Sequence, residues 1–133
     1  MPATRGYGGV VGLTEGVVMA AEITASRTAD GVFTVVARGE LDAVTAPDLA
    51  AALQRALATE RALIIDVREA DLLAVAGARV LIAAAHACAA RGGRCYVLAG
   101  PDHVARRVLD CLDPRPPLRL VADPDDIMRG QRA

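Results

Sequence analysis

The chain has no tryptophan, one phenylalanine and two tyrosines, and it contains no lysine at all. With so few aromatics its core must be built from Ala, Val, Leu and Ile, which suits helices packed closely on a sheet. All 15 basic residues are arginine and 16 acidic residues balance them, which leaves a formal net charge of −1. An all-arginine set reads as codon usage, and the balance gives no broad electrostatic reason to bind nucleic acid or an anionic membrane. No apolar run reaches the roughly 18 residues of a membrane span. Three cysteines without a CxxC spacing argue against a disulfide framework and against a zinc site. Neither GxxxxGK[ST] nor GxGxxG occurs, so Gly8-Gly9 and Gly92-Gly93 are not phosphate loops, and no cofactor or metal is expected. The N-terminus has one Arg and a glycine-broken middle, a poor signal peptide, so a cytoplasmic location is expected.

What is present is a regular alternation of elements. Residues 1–18 are glycine-rich without a period and read as a loose leader, of the kind an upstream start codon would append; ordered, it would form an extra edge element. A domain is expected over 19–129, opening with a strand at Met19, and a tail over 130–133. Two alternating runs flank Asp30-Gly31: Ile23 and Ala25 on one side, then Phe33, Val35 and Ala37 on the other, a hairpin whose tight turn needs positive φ. Thr45, with Pro47 in the first turn and Asp48 three residues on, predicts a capped helix with Leu49, Leu53, Ala56 and Leu57 inward. "ALIIDV" predicts a buried strand. A helix follows over about 75–91 with Leu81, Ala84, Ala85 and Cys88 inward, stopped by "RGG". "RCYVLAG" is a strand, and "PDHVARRVLDCL" a helix with Val104, Val108, Cys111 and Leu112 on its apolar face. "LRLV" is a last strand, and Asp123, Pro124 and Asp126 cap a final helical turn. The order β–β–α–β–α–β–α–β–α predicts one α/β domain with a mixed sheet of about five strands and about four helices.

The helix expected at 75 has a peculiarity. Helix entrances usually carry Ser, Thr, Asp or Asn, whose oxygen accepts a free backbone N–H. Here Ala74, Val75, Ala76 and Gly77 carry no side-chain oxygen.

"ARGELDAVTAPDLAAAL", "ALIIDVREADLL" and the helix after Gly77, in this order over residues 20–128, resemble the STAS domain of bacterial anti-sigma factor antagonists. The resemblance implies a non-enzymatic binding module whose partner is an anti-sigma factor of the serine-kinase type, and whose binding releases a sigma factor. In that family the entrance usually reads Asp-Ser-Ser-Gly or Asp-Ser-Thr-Gly, and the partner kinase phosphorylates a hydroxyl there. The motif's Asp falls on Ala74 and its hydroxyl residues on Val75 and Ala76, so no phosphorylation site is expected. Val and Ala cannot take a phosphate that the helix N-terminus would otherwise favour.

The partner-binding residues implied are Asp42, Thr45, Ala74, Val75, Ala76, Gly77 and Arg79, with Arg79 and His86 outward on one helix. Asp42 and Asp66 end two strands, and either serve turn N–H groups or form an acid–base or magnesium pair; no catalytic residue is expected. Cys88, Cys95 and Cys111 read as small buried hydrophobes, or else as a thiol control in place of phosphorylation. His103 with Arg106 and Arg107 reads as ordinary surface. Two other readings of the resemblance stand beside the first: an accessory subunit of a lipid-transport ABC complex, and a nucleotide-binding variant.

Overall fold

The computed structural model describes residues 5–6, 13–14, 17–18, 21–28, 31–112 and 118–127. Nine strands and three helices are delimited in it. The strands are β1 (Arg5–Gly6), β2 (Leu13–Thr14), β3 (Val17–Val18), β4 (Ala21–Arg27), β5 (Phe33–Leu41), β6 (Ala62–Asp66), β7 (Ala70–Leu73), β8 (Arg94–Leu98) and β9 (Leu118–Val121). The helices are α1 (Ala46–Thr59), α2 (Val75–Ala90) and α3 (Val104–Leu112), and a helical turn over 124–127 follows β9. Asp123 caps that turn, its carboxylate accepting from the Asp125 N–H at 2.9 Å.

The main sheet runs β1-β4-β5-β6-β8-β9, with β7 added beside β5. β4 and β5 form the expected antiparallel hairpin, Ile23 opposite Ala37 and Ala25 opposite Val35. Gly31 lies at φ +84°, as the tight turn requires; Asp30 and Met19 lie outside the described residues. β5, β6, β8 and β9 are parallel. Short β1 pairs antiparallel to the outer side of β4. The sheet therefore contains the five strands expected, and two more.

β7 is the addition that sets where α2 begins. β5 is nine residues long; its first half pairs with β6 and its last three residues pair with β7. The register shifts between Gly39 and Glu40, and Gly39 sits at φ +90°, a conformation that costs glycine nothing. β7 thus lengthens the sheet beyond the end of β6 and delivers the chain to α2 beside the end of β5.

All three helices cover one face. Leu49, Leu53, Ala56 and Leu57 of α1 are buried, as are Leu81, Ala84, Ala85 and Cys88 of α2, against Ile23, Val35, Leu63, Ile65 and Val97. Small residues on both helices allow the close approach that the missing aromatics demand. On the other face Val32, Ile64, Tyr96 and Leu98 pack with Ile127. α3 departs from expectation: Ala105 and Leu109 point inward, while Val104, Leu112 and Cys111 are exposed. The helix carries two apolar stripes about one residue out of phase, and the one containing alanine fits beneath the neighbouring α2.

Candidate functional site

Two strand-to-helix turns meet at the C-terminal end of β5. In the first, the Asp42 carboxylate accepts from the backbone N–H of Val44 (3.0 Å) and of Thr45 (3.1 Å). The Thr45 hydroxyl accepts from the Asp42 N–H at 2.9 Å and donates to the Glu40 carbonyl at 2.7 Å. The Ala46 N–H then reaches the Asp42 carbonyl at 2.8 Å, the first bond of a helical ladder. This is a reciprocal capping box spanning Asp42 and Thr45. It corrects the expected cap: Thr45 is already in helical conformation, its side chain makes no cap bond of its own to α1, and it is 1% exposed. Thr45 therefore holds the turn together from beneath and is no contact for a partner.

The second turn leads from β7 into α2. Ala74 takes the extended backbone of an N-cap (φ −80°, ψ 167°) and its carbonyl accepts from the Ala78 N–H, yet no side chain caps this helix. Leu73 before the cap and Ala78 one turn in are both buried, a hydrophobic clasp in place of a polar one. The Ala74 N–H donates to the Leu41 carbonyl at 2.9 Å, which ties this turn to the end of β5. Gly77 lies against the same residue, and a Cβ there would stand 2.6 Å from the Leu41 carbonyl oxygen. No side chain fits, so glycine is the residue that lets α2 start this close to β5.

The two turns together present apolar surface. Val44 is 60% exposed, Val75 49% and Leu72 40%. Asp48 is partly exposed and Asp71 exposed, on α1 and β7. Three exposed aliphatic side chains, with carboxylates on the same elements, give this end of the sheet an apolar surface.

A family model, the STAS domain, matches residues 24–112. The chain belongs to the STAS family. Among solved structures, an anti-sigma factor antagonist from Mycobacterium paratuberculosis is 30% identical, with a TM-score of 0.66 over 85% of this chain and 93% of that one. SpoIIAA in its unphosphorylated form is 14% identical, with a TM-score of 0.63 over 83% of this chain and 96% of that one. The phosphorylated form of the Bacillus cell fate determinant SpoIIAA is 16% identical, with a TM-score of 0.62 over 81% and 98%. At these identities the SpoIIAA structures share the fold alone. No curated protein matches the chain.

Within this STAS domain the remaining sequence candidates separate. Arg79 is exposed on α2, one turn beyond Val75 on the same face, and lines an apolar groove of about 400 Å³ between α1 and α2 with Leu53, Leu57 and Val80. His86 is exposed farther along α2. Asp66 is 8% exposed and Arg68 occupies both its oxygens, Nε and the backbone N–H on one (3.0 Å each) and a terminal nitrogen on the other (2.8 Å). Both Asp42 and Asp66 thus serve turns. His103 is not ordinary surface: its Nδ1 accepts from the Ala105 N–H and its Nε2 donates to the Ala70 carbonyl, each at 3.0 Å, capping α3 and fastening it to β7. Arg106 is likewise engaged, donating to the carbonyls of Ala99 and Gly100.

The cysteines divide in the same way. Cys88 and Cys95 are buried and Cys111 is exposed, which corrects the expectation that all three are core residues. Burial, and secondarily the neighbouring Cys88, pushes the Cys95 thiol up to about 12. Burial also raises Cys88. A thiol held protonated is a poor nucleophile.

Val44 and Leu72 were not recognised from sequence. Val44 was the available signal, an aliphatic residue inside the otherwise small and polar stretch Asp42–Pro47.

Proposed function

We propose that this STAS protein is a non-enzymatic, cytoplasmic antagonist that binds an anti-sigma factor of the serine-kinase type and lacks the phosphorylation switch at the usual helix entrance. Occupying the anti-sigma factor would compete with its sigma factor and release the latter. The observation that carries this reading is the exposed Val75 at an α2 entrance without a hydroxyl, flanked by Val44 and Leu72. The 30%-identical mycobacterial antagonist supports the partner class, and the existence of a phosphorylated SpoIIAA shows that the fold accommodates a phosphate in a relative. The hydroxyl in the adjoining turn, that of Thr45, is buried and engaged on both sides.

The face also defines what it can bind. An apolar centre of three aliphatic side chains, with Asp71 and Asp48 nearby, fits a partner surface that is apolar at its middle and basic at its rim. A docking face that cannot acquire a phosphate stays available whenever the protein is present, so control passes to how much of it is made.

The test is to titrate a candidate anti-sigma kinase with the protein by calorimetry, with and without ATP, and to follow phosphate by mass spectrometry. Tight binding that ATP does not weaken over time, no phosphate on 74–77, and at least tenfold weaker binding of Val75→Asp are expected. Phosphate transfer to another hydroxyl with loss of binding would overturn the unswitched mechanism. Binding that Val75→Asp leaves intact would remove the proposed face.

A further inference from the structure

The groove that Arg79 lines runs between two helices that start together. α1 and α2 both leave the sheet at the C-terminal end of β5, and the strands that follow them, β6 and β8, run parallel to β5. The helices therefore descend side by side in the same direction. Ala50 and Arg79 lie in their second turns, Leu57 and Ala87 near their far ends. From Arg79 to Ala87 the groove extends about 12 Å at the helical rise.

Its lining is aliphatic except at two places. Leu53, Leu57 and Ala84 are buried at its floor, and the exposed Ala83 and Ala87 keep its α2 side low. The polar side chains that reach it are Arg79, at the end nearest the helix entrances, and Gln54, midway along α1. Among the described residues neither has a hydrogen-bond or ion-pair partner. Gln54 is exposed and keeps its amide in water, so one end of an apolar trough carries a charge without a counter-ion.

A volume of about 400 Å³ falls within the range of small-molecule sites, which are mostly apolar with a few placed polar groups. Spread over that length it gives a channel roughly 6 Å wide, whereas a helix measures about 10 Å across. A partner's helix would rest on the rim and leave the floor uncovered. A second copy laid on the same face would add another unpaired arginine and no carboxylate from the groove. One guanidinium matches one carboxylate, holding both its oxygens with parallel N–H donors. We propose that the groove binds a single-chain amphiphile, its unbranched aliphatic chain laid between α1 and α2 and its carboxylate against Arg79. The head end lies one turn from Val75, but binding there does not depend on the anti-sigma reading.

The experiment uses the whole chain with decanoate as probe, below the concentration at which it forms micelles. Amide resonances of Gln54, Leu57, Ala83 and Ala87 should shift saturably, and thermal unfolding should move upward with decanoate. Hexanoate should bind at least tenfold weaker: it lacks four methylenes at about twofold each, half the effect of full burial because the groove is open on one side. Arg79→Gln should weaken decanoate about fivefold, the upper end for an exposed ion pair, and leave uncharged decanol unchanged. Ala83→Leu and Ala87→Leu each fill part of the groove and should weaken both probes at least tenfold. Both alanines are exposed and leucine is a good helix former, so these variants should fold, which their amide spectra report directly. Absent shifts, unchanged affinity in both leucine variants or in Arg79→Gln, or decyltrimethylammonium binding as tightly as decanoate would overturn the proposal. Groove shifts that follow protein concentration without any probe would overturn it in favour of a second copy. Groove shifts with an anti-sigma factor but none with decanoate would overturn it in favour of a partner surface.

Discussion

The entrances of α1 and α2 lie side by side at the end of β5 and solve the same problem by opposite means. Each must begin a helix beside the Leu41 backbone. At α1 the solution is polar: the Asp42 carboxylate and the Thr45 hydroxyl satisfy each other's backbone N–H groups, and Thr45 bonds the Glu40 carbonyl as well. At α2 it is steric and apolar: one backbone bond from Ala74 to Leu41, a glycine where no Cβ fits, and the buried pair Leu73 and Ala78. The polar solution faces inward and closes its own valences. The apolar one leaves Val75 in solvent and its first N–H groups without a side-chain acceptor. The difference shows which turn is structural scaffold and which is surface offered to something else.

That contrast can be broken most strongly at Thr45. Replacing it by valine keeps shape and burial but leaves the Glu40 carbonyl and the Asp42 N–H without their partner. Two part-buried backbone groups, at about 1 kcal/mol or somewhat more apiece, set a loss of about 2–3 kcal/mol, measured as a drop in the denaturant midpoint at unchanged slope. Gly77→Ala comes next. Alanine's better helix propensity contributes about 1 kcal/mol, but a contact of 2.6 Å with backbone oxygen must be relieved by moving α2 away from β5. Overpacking of this kind costs about 1–3 kcal/mol, so a net loss of up to about 2 kcal/mol is expected, with the Ala74 amide showing faster hydrogen exchange as its bond to Leu41 lengthens. Asp42→Ala removes the cap alone and should cost about 1 kcal/mol in the same denaturation.

The cysteines sharpen the comparison between surface and interior by rate instead of stability. Iodoacetamide at neutral pH should label Cys111 first, while Cys95, with its thiol pushed up to about 12, should stay unlabelled until the protein unfolds. Early labelling of Cys95, read by peptide mass spectrometry, would show that the core opens far more readily than its packing implies.

Much of this was legible in the amino-acid order, and the failures are specific. The hairpin, both long helices and the bare α2 entrance follow from local rules: period-2 alternation around a turn, an aliphatic stripe at helical spacing, the absence of oxygen at 74–77. The cap of α1 was misplaced because Thr-x-x-Asp at 45–48 and Asp-x-x-Thr at 42–45 are both plausible boxes, and only the backbone conformation at Thr45 chooses between them. β7 was missed because four residues that pair only with the overhanging end of β5 carry no signal until the length of β5 relative to β6 is known. The face of α3 turned on which of two adjacent stripes could fit under α2, a question of volume.

The smallest effect is the most diagnostic of the two entrances. Ala74 already has the backbone of an N-cap, so serine there needs no rearrangement to offer its oxygen to the free N–H groups of α2. Ala74→Ser should therefore stabilise the protein by about 0.5 kcal/mol in thermal unfolding, the low end for a restored cap because Leu73 and Ala78 already hold the turn. A destabilisation instead would mean that the apolar contacts tolerate no hydroxyl and that the entrance is shaped by packing alone. Ala76→Ser extends the test to function: placed one turn position inside the helix, where the N-terminal dipole favours a phosphate, it supplies the acceptor that the chain lacks. With a cognate kinase and ATP, that variant should gain phosphate and lose binding as it does so, while the unaltered protein keeps both its mass and its partner.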